Sequence, residues 1–213
     1  MATRPQSGES AASLGKKPRT ARGRATMRKL LDAAAKEFGE QGFHAASISG
    51  ITRRAGTALG SFYTYFDSKE AIFSALVRDM SRAVADAAAA AMPDGISGIQ
   101  RERDVLTAFL SFAREHKEIY RIIDEAEFVA PNNSRAHYEN AAGRIAARLD
   151  QAAHDGDIAP GDNEVRAWAL MGMNVFLGMR FGVWDDSRNP AEIAAVIERL
   201  LRNGIAPPHR SET

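Results

Sequence analysis

Met27, Leu30, Leu31, Ala34 and Phe38 stand at i, i+3, i+4, i+7 and i+11, one continuous apolar face on a 3.6-residue period. Helical periodicity returns along the chain and no strand-like alternation persists, so the fold class is all-α. Glycine and proline divide the helices. Gly42 is placed to end the first one as a left-handed cap. Ser47 suits the N-cap of a short second helix that turns Ile48, Ile51 and Ala55 inward. Gly56 breaks the chain again, and a third short helix is predicted from about 57 to 63. Asp67 or Ser68 then caps a long fourth helix with Ile72, Leu76 and Met80 on one face, and Pro93 stops it. Residues 93–98 are turn-forming. The second half reads as helices over about 99–116, 117–128, 133–155, 162–184 and 190–203, punctuated by Pro131, Gly156, Pro160, Gly161 and Pro190.

A chain of 213 residues can bury a proper core as one large domain or two small ones. Its 28 basic and 27 acidic residues nearly balance, but their distribution does not. Arg4, Lys16, Lys17, Arg19, Arg22, Arg24, Arg28 and Lys29 face Glu9 alone within residues 1–30. A basic end on an acidic body marks where a polyanion docks. Residues 1–22 are rich in Ser, Gly, Pro, Arg and Lys without periodicity, and are read as an arm disordered when free; the same reading is given to residues 206–213. An arm carrying Arg19, Arg22 and Arg24 is suited to a minor groove. There is no cysteine, hence no disulfide or thiolate chemistry. No apolar stretch of signal-peptide type follows the basic start. The most apolar segment, Trp168 to Trp184, is interrupted by Asn174 and Arg180. A soluble, cytoplasmic protein with no membrane partner is expected.

Helix, turn, helix with glycine in the turn is the shape that places a short helix in the major groove. Here the unit spans 47–66, inside a DNA-binding domain drawn at 23–68. The string Ile48-Ser49-Gly50-Ile51-Thr52-Arg53-Arg54-Ala55-Gly56-Thr57-Ala58-Leu59-Gly60-Ser61-Phe62-Tyr63-Thr64-Tyr65-Phe66-Asp67-Ser68-Lys69-Glu70 resembles the DNA-binding head of the TetR family. The preceding helix, ending in Gly42-Phe43, matches too, and the resemblance covers about residues 24–80. It implies a three-helix DNA-binding domain followed by a helical ligand-binding and dimerisation domain, drawn at 69–205.

Residue chemistry fits that reading. Ser61 and Tyr63 offer hydroxyls to phosphate, Arg24 and Lys69 offer cations, and Ser47 either binds phosphate or simply caps. Lys69 sits in the first turn of the fourth helix, where backbone amides also face an anion. Gly60 lets the recognition helix approach DNA closely. Thr57, Ala58, Leu59, Gly60 and Thr64 are left for base edges. Leu59 stands where the family often has a polar residue, so readout leans on thymine methyls and groove shape. Ile51, Phe62 and Phe66 are core, Tyr65 is chiefly a packing residue, and Arg53 and Arg54 suit a solvated face or the DNA backbone equally well.

The segment from Trp168 to Gly182 is apolar nearly all round, the mark of a helix covered on several sides. The resemblance implies that it and the last helix pair with their copies in a four-helix dimer interface. The residues assigned to it are Gly172, Val175, Gly178, Met179 and Gly182, then Ile193, Val196, Ile197 and Leu200. A two-fold dimer reads a palindromic operator. A pocket for a small-molecule effector is drawn from Phe109, Phe112, Tyr120, Arg121 and Phe128, His137 and Tyr138, and Trp168, Met171, Asn174 and Phe176. The run Tyr120 to Phe128 resembles TetR-like regulators of lipid and aromatic-acid metabolism, implying an apolar carboxylate or acyl thioester with Arg121 or Arg180 as counter-ion.

For an enzyme the sequence offers no G-x-G-x-x-G, P-loop, G-x-S-x-G or H-E-x-x-H, so no catalytic residue, metal site or cofactor is assigned. His116, His137, Glu125 and Glu127 lack metal-ligand spacing. A DNA-binding regulator without ligand is the alternative, since a domain built only to dimerise reads much the same, and an all-α enzyme using the second-half pocket is the lesser one.

Overall fold

The computed structural model describes residues 18–92, 95–96 and 98–204. The arm up to Lys17, loop positions 93, 94 and 97, and everything after Gly204 lie outside the described residues. Among those described there is no strand. The helices are α1 (Ala21–Ala45), α2 (Ile48–Ala55), α3 (Leu59–Tyr65), α4 (Lys69–Ala90), α5 (Gly98–Glu115), α6 (Glu118–Val129), α7 (Pro131–His154), α8 (Asn163–Gly178) and α9 (Pro190–Asn203). A π-helical stretch, Met179–Trp184, continues α8. The chain divides into two compact units, one up to Leu76 and one from Val77. That division falls inside α4 rather than at 68/69, because the first turns of α4 pack into the head: the Phe73 ring lies 5.1 Å from Phe38 and 5.0 Å from Phe43.

The first unit is closed by Leu30, Ala34 and Phe38 of α1, Ile51 of α2, Phe62 and Phe66 at α3, and Ile72 and Phe73 of α4, all essentially inaccessible. Local signals explain its joints. Thr20 caps α1 through Gly23 N–H, so the helix begins within the basic arm and takes in Arg22 and Arg24. Gly42 has the positive φ expected of it, 75°, but its ψ of 166° is mirror-extended and not left-handed helical. One more turn follows before Ala46. Ser47 Oγ accepts from Gly50 N–H at 2.9 Å and opens α2. Gly56 closes it in the left-handed region (φ 63°, ψ 36°), and Thr57 N–H donates back to Thr52 O at 3.0 Å. That bond holds Thr57 to the end of α2, so α3 starts at Leu59 and not at 57. Ser68, not Asp67, caps α4, accepting from Ala71 N–H at 3.1 Å.

In the second unit Leu106 and Leu110 of α5 pack on Ile193 and Ala194 of α9. Ala142, Ile145 and Leu149 of α7 pack on Ala167, Leu170 and Met171 of α8. Asp162 caps α8, Asn189 caps α9, and Pro131 and Pro190 each occupy a first helical turn, where a missing N–H costs nothing. The helix drawn as continuous over 162–184 widens after Gly178. There the Arg114 guanidinium donates to Phe181 O at 3.2 and 3.0 Å, and Gly182 rests on Ala113. The guanidinium thus gives the Phe181 carbonyl a partner from outside the helix.

Between α5 and α7, Arg148 holds the buried Glu102 carboxylate with two bonds of 2.7 and 2.8 Å. Removing the guanidinium leaves a carboxylate desolvated and unpaired. Arg148→Ala is therefore expected to destabilise this unit by about 3–5 kcal/mol, read as a lower urea midpoint. An unchanged midpoint would mean that Glu102 escapes to water.

Candidate nucleic-acid interface

α3 has two unlike sides. Phe62 points inward with Phe66, while Leu59, Gly60, Tyr63 and Thr64 lie together on the outside. Leu59 is 51% exposed and Tyr63 49%. A Cβ added at Gly60 meets nothing within 4 Å, so none of the described residues crowds that point. The Tyr63 ring is braced edge-on against Phe62, which fixes where its hydroxyl points. Ala58 is exposed, and Ser61 is half-buried. Thr64 is exposed, but its hydroxyl donates to Gly60 O at 3.3 Å.

Thr57 departs from its expected place at the base edges. Its hydroxyl oxygen is buried and has no hydrogen-bond partner among the described residues, so it faces into the head. Lys69 departs as well. Its ammonium donates to Phe43 O (2.7 Å), His44 O (3.2 Å) and Ala46 O (3.0 Å) and lies over the Phe43 ring. All three N–H donors are thus spent on carbonyls at the end of α1, where a cation also suits the helix dipole. Glu70, held below the usual carboxylate range by its own backbone amide and the Ser68 hydroxyl, already puts negative charge at the start of α4. A phosphate there would have to compete with it. Ser47 is occupied as the α2 cap but remains exposed. Arg19, Arg22 and Arg24 are exposed around the start of α1. Tyr65 is half-buried against α1, its hydroxyl close to Gly23, in keeping with a packing role. Arg53 and Arg54 are both exposed, and Arg54 pairs with the carboxylates of Glu37 and Glu40 on α1.

In the second unit the structure brings together only part of the set drawn as a pocket. The Tyr120 hydroxyl donates to Val175 O at 3.0 Å, and the His137 ring lies 5.0 Å from Tyr138. His137 Nδ1 is 2.8 Å from Ser81 Oγ on α4. Burial, with the charge of nearby Tyr138 added, pushes the Tyr120 hydroxyl pKa up; burial and the charges of Asp124 and Glu127 raise that of Tyr138. Met171 is core, Asn174 is half-buried, Phe109 packs beside the α5–α9 core and Phe112 against His116. Arg121 is exposed and bonded to Glu125. Phe128, Trp168 and Phe176, also drawn into the pocket, are 82%, 44% and 67% exposed in the single chain. Two clefts open elsewhere. One of about 410 Å³ lies between Arg103, Thr107 and Ala195, and one of about 680 Å³ between Ile99, Leu149, Met173 and Leu201. None of the residues expected to hold an effector lines either.

The dimer set divides too. A Cβ on Gly178 would overlap the Tyr120 hydroxyl, Gly182 lies against Ala113, and Ile193 is core, so these three serve packing within one chain. Val175 and Ile197 are partly buried against the two cores, and Met179 and Leu200 are half-buried. Gly172 faces open space and Val196 is exposed. With Val165, Trp168, Ala169 and Phe176, Gly172 completes a stripe at i, i+3, i+4, i+7 and i+11 on the outside of α8. That spacing was present in the sequence, but an all-round apolar segment does not say which stripe stays outside.

His137 supplies a pH prediction. Burial, with a smaller push from Arg144, lowers its pKa from 6.5 to about 4. The native ring stays neutral while the unfolded chain takes up a proton, so stability falls as pH drops from about 6.5 toward 4. The loss in urea midpoint over that window is expected to be smaller in His137→Gln; equal slopes would remove His137 from the account.

A short exposed helix, presented by a buried helix–turn–helix frame and flanked by cations, defines a DNA-binding head. Residues 30–76 match the model of the bacterial regulatory proteins of the tetR family. The uncharacterized HTH-type transcriptional regulator YdgC of Bacillus subtilis is 32% identical over 187 residues, 85% of this chain and 93% of that protein. The chain belongs to the tetR family of transcriptional regulators. Its fold is similar to that of the transcriptional regulator FadR from Bacillus subtilis, solved in complex with stearoyl-CoA (TM-score 0.74, 17% identity, 84% of this chain and 99% of that one). It is also similar to PfmR, a TetR family regulator from Thermus thermophilus (TM-score 0.68, 20% identity, 84% and 99%). At such identities the likeness is one of fold. No described helix is long and apolar enough to cross a membrane.

Proposed function

We propose that the protein is a homodimeric repressor that binds a palindromic operator and leaves it when a small apolar ligand binds the second unit. The observation that carries the DNA reading is the outward face of α3, with Leu59 and Tyr63 half exposed around an unobstructed Gly60. Leu59, Gly60 and Ala58 read base edges, Leu59 by apolar contact with thymine methyls. Tyr63, Ser61, Arg24 and Ser47 meet phosphates. The stripe of Val165, Trp168, Gly172 and Phe176 with Val196 supports a two-fold contact between copies, and two heads reading one helical turn apart require a palindrome.

The ligand class, an acyl thioester, lipid-like molecule or aromatic acid, rests on the aromatic and hydroxyl groups of Tyr120, Tyr138 and His137 and on the fold shared with an acyl-CoA-bound regulator. A ligand that prefers a conformer mis-spaced for adjacent half-sites lowers DNA affinity by that preference, about 5- to 150-fold. The second reading is a DNA-binding regulator without ligand, in which the second unit serves dimerisation alone.

Selection of bound fragments from random duplex DNA tests the first step. A palindromic motif with fixed half-site spacing is the expected result. No enrichment, with binding lost at moderate salt, would reduce the head to a polycation. Titration of the selected duplex with acyl-CoA thioesters and aromatic acids then separates the two readings, since the second requires unchanged affinity.

A further inference from the structure

Arg54, exposed at the end of α2, is the cation of the helix–turn–helix that pairs with carboxylates of α1. Its Nε donates to Glu37 Oε2 at 2.6 Å, its Nη1 donates to Glu40 Oε1 at 3.2 Å, and its Nη2 pairs with Glu40 Oε2. Both carboxylates belong to α1, on successive turns of the same face. Glu37 is 6% exposed, a buried charge that needs such a partner. Room for it comes from α2: a Cβ on Gly50 would overlap Glu37 Oε1 and Cδ. Gly50 has an ordinary helical backbone, so its missing side chain serves space and not conformation. Arg54 stands in the last turn of α2, two residues before Gly56. The turn there is fixed by Gly56 N–H to Arg53 O and Thr57 N–H to Thr52 O, and leads directly into α3.

We propose that Arg54 is a positioning residue for operator recognition: its fork on Glu37 and Glu40, admitted by Gly50, sets the angle of α2 on α1 and so the tilt at which α3 meets the groove. A planar guanidinium satisfies two carboxylates in fixed directions, which an ammonium cannot do. The proposal rests on the DNA-binding reading above. It differs from a phosphate-contact role for Arg54, because three of the five N–H donors of its guanidinium are committed to Glu37 and Glu40.

The test compares Arg54→Ala, Arg54→Lys, Gly50→Ala and the double variant Gly50→Ala/Arg54→Ala in the full-length chain. Each is titrated on the selected operator and on a scrambled duplex over a range of salt, with thermal melts to establish folding. Expected for Arg54→Ala is about a tenfold weaker operator, the cost of roughly one misread base pair, with scrambled-duplex affinity and its salt slope unchanged. Arg54→Lys recovers part of the loss, because one point charge reaches one carboxylate. Gly50→Ala reproduces the defect by displacing Glu37, and the double variant is no worse than the weaker single one, because both break one contact. If Arg54→Ala does not fold, Arg54→Lys and Gly50→Ala carry the comparison. A salt slope reduced by about one unit in Arg54→Ala would make Arg54 a phosphate ligand and overturn the proposal. An unchanged ratio of operator to scrambled affinity in the folded variants would overturn it too. A wild-type chain that prefers no duplex at all would overturn the regulator reading itself, and this proposal with it.

Discussion

Gly60→Glu is expected to abolish operator binding while leaving the protein folded. Both halves follow from the position. A Cβ at Gly60 enters open space, and the residue is the second of α3, where a carboxylate suits the helix N-terminus and glycine is a poor helix former. The melting temperature should therefore stay within about 2 °C of wild type or rise slightly. On DNA the same side chain lies between Leu59 and Tyr63 on the exposed face, so it adds bulk where the backbone must approach and negative charge where phosphates lie. Losing one good base contact costs about 1–3 kcal/mol, and a two-fold dimer loses it twice. Operator affinity should fall roughly a hundredfold or more. Gly143→Glu is the matched control: also helical, exposed and unobstructed, but on α7 in the second unit, it should bind normally. A Gly60→Glu protein that binds as wild type would mean that α3 is not the reading element.

Why the head was legible from sequence and the second half only in outline comes down to the range of the interactions. Ser47, Gly56, Ser68, Asp162 and Pro190 act within four residues, so caps and turns announce the helix boundaries locally. Lys69 looked like a phosphate ligand because its partners, the carbonyls of Phe43, His44 and Ala46, lie more than twenty residues back and leave no side-chain signature. Arg54 was ambiguous for the same reason: Glu37 and Glu40 are ordinary acidic residues until α2 folds onto α1. Thr57 was misplaced by one local detail, the use of its amide to close α2, which delays α3 by two residues and turns its hydroxyl inward. On α8 the difficulty is of another kind. A segment apolar on all sides carries no phase, so only its neighbours decide which residues are covered. Tyr120 and Phe109 take Gly178, Ala113 takes Gly182, and Val165, Trp168, Gly172 and Phe176 are what remains outside.

That remainder gives the second large effect. In the proposed homodimer, Phe176→Asp is expected to shift the protein from dimer to monomer, seen by sedimentation or light scattering at micromolar concentration. Phe176 is 67% exposed within one chain and is not among the residues that form or pack on the α5–α9 and α7–α8 cores, so the substitution should not lower the melting temperature of the fold itself. In a contact between two copies the residue counts twice. Burying a phenylalanine is worth about 1.5–3 kcal/mol, so two of them contribute roughly 3–6 kcal/mol, a hundredfold to ten-thousandfold in the dimer dissociation constant. The desolvation of two carboxylates adds to this. Operator affinity should fall with dimerisation, while the affinity of a single half-site stays as it was, because the heads are untouched. Gly178→Asp, two residues further along the same helix, sets the contrast. Its side chain would enter the space held by the Tyr120 hydroxyl, so it should lower the melting temperature instead of the association constant. If Phe176→Asp remains a dimer, the copies meet on another face and the α8 stripe has another occupant; if Gly178→Asp melts like wild type and monomerises, the inside and outside of α8 have been exchanged.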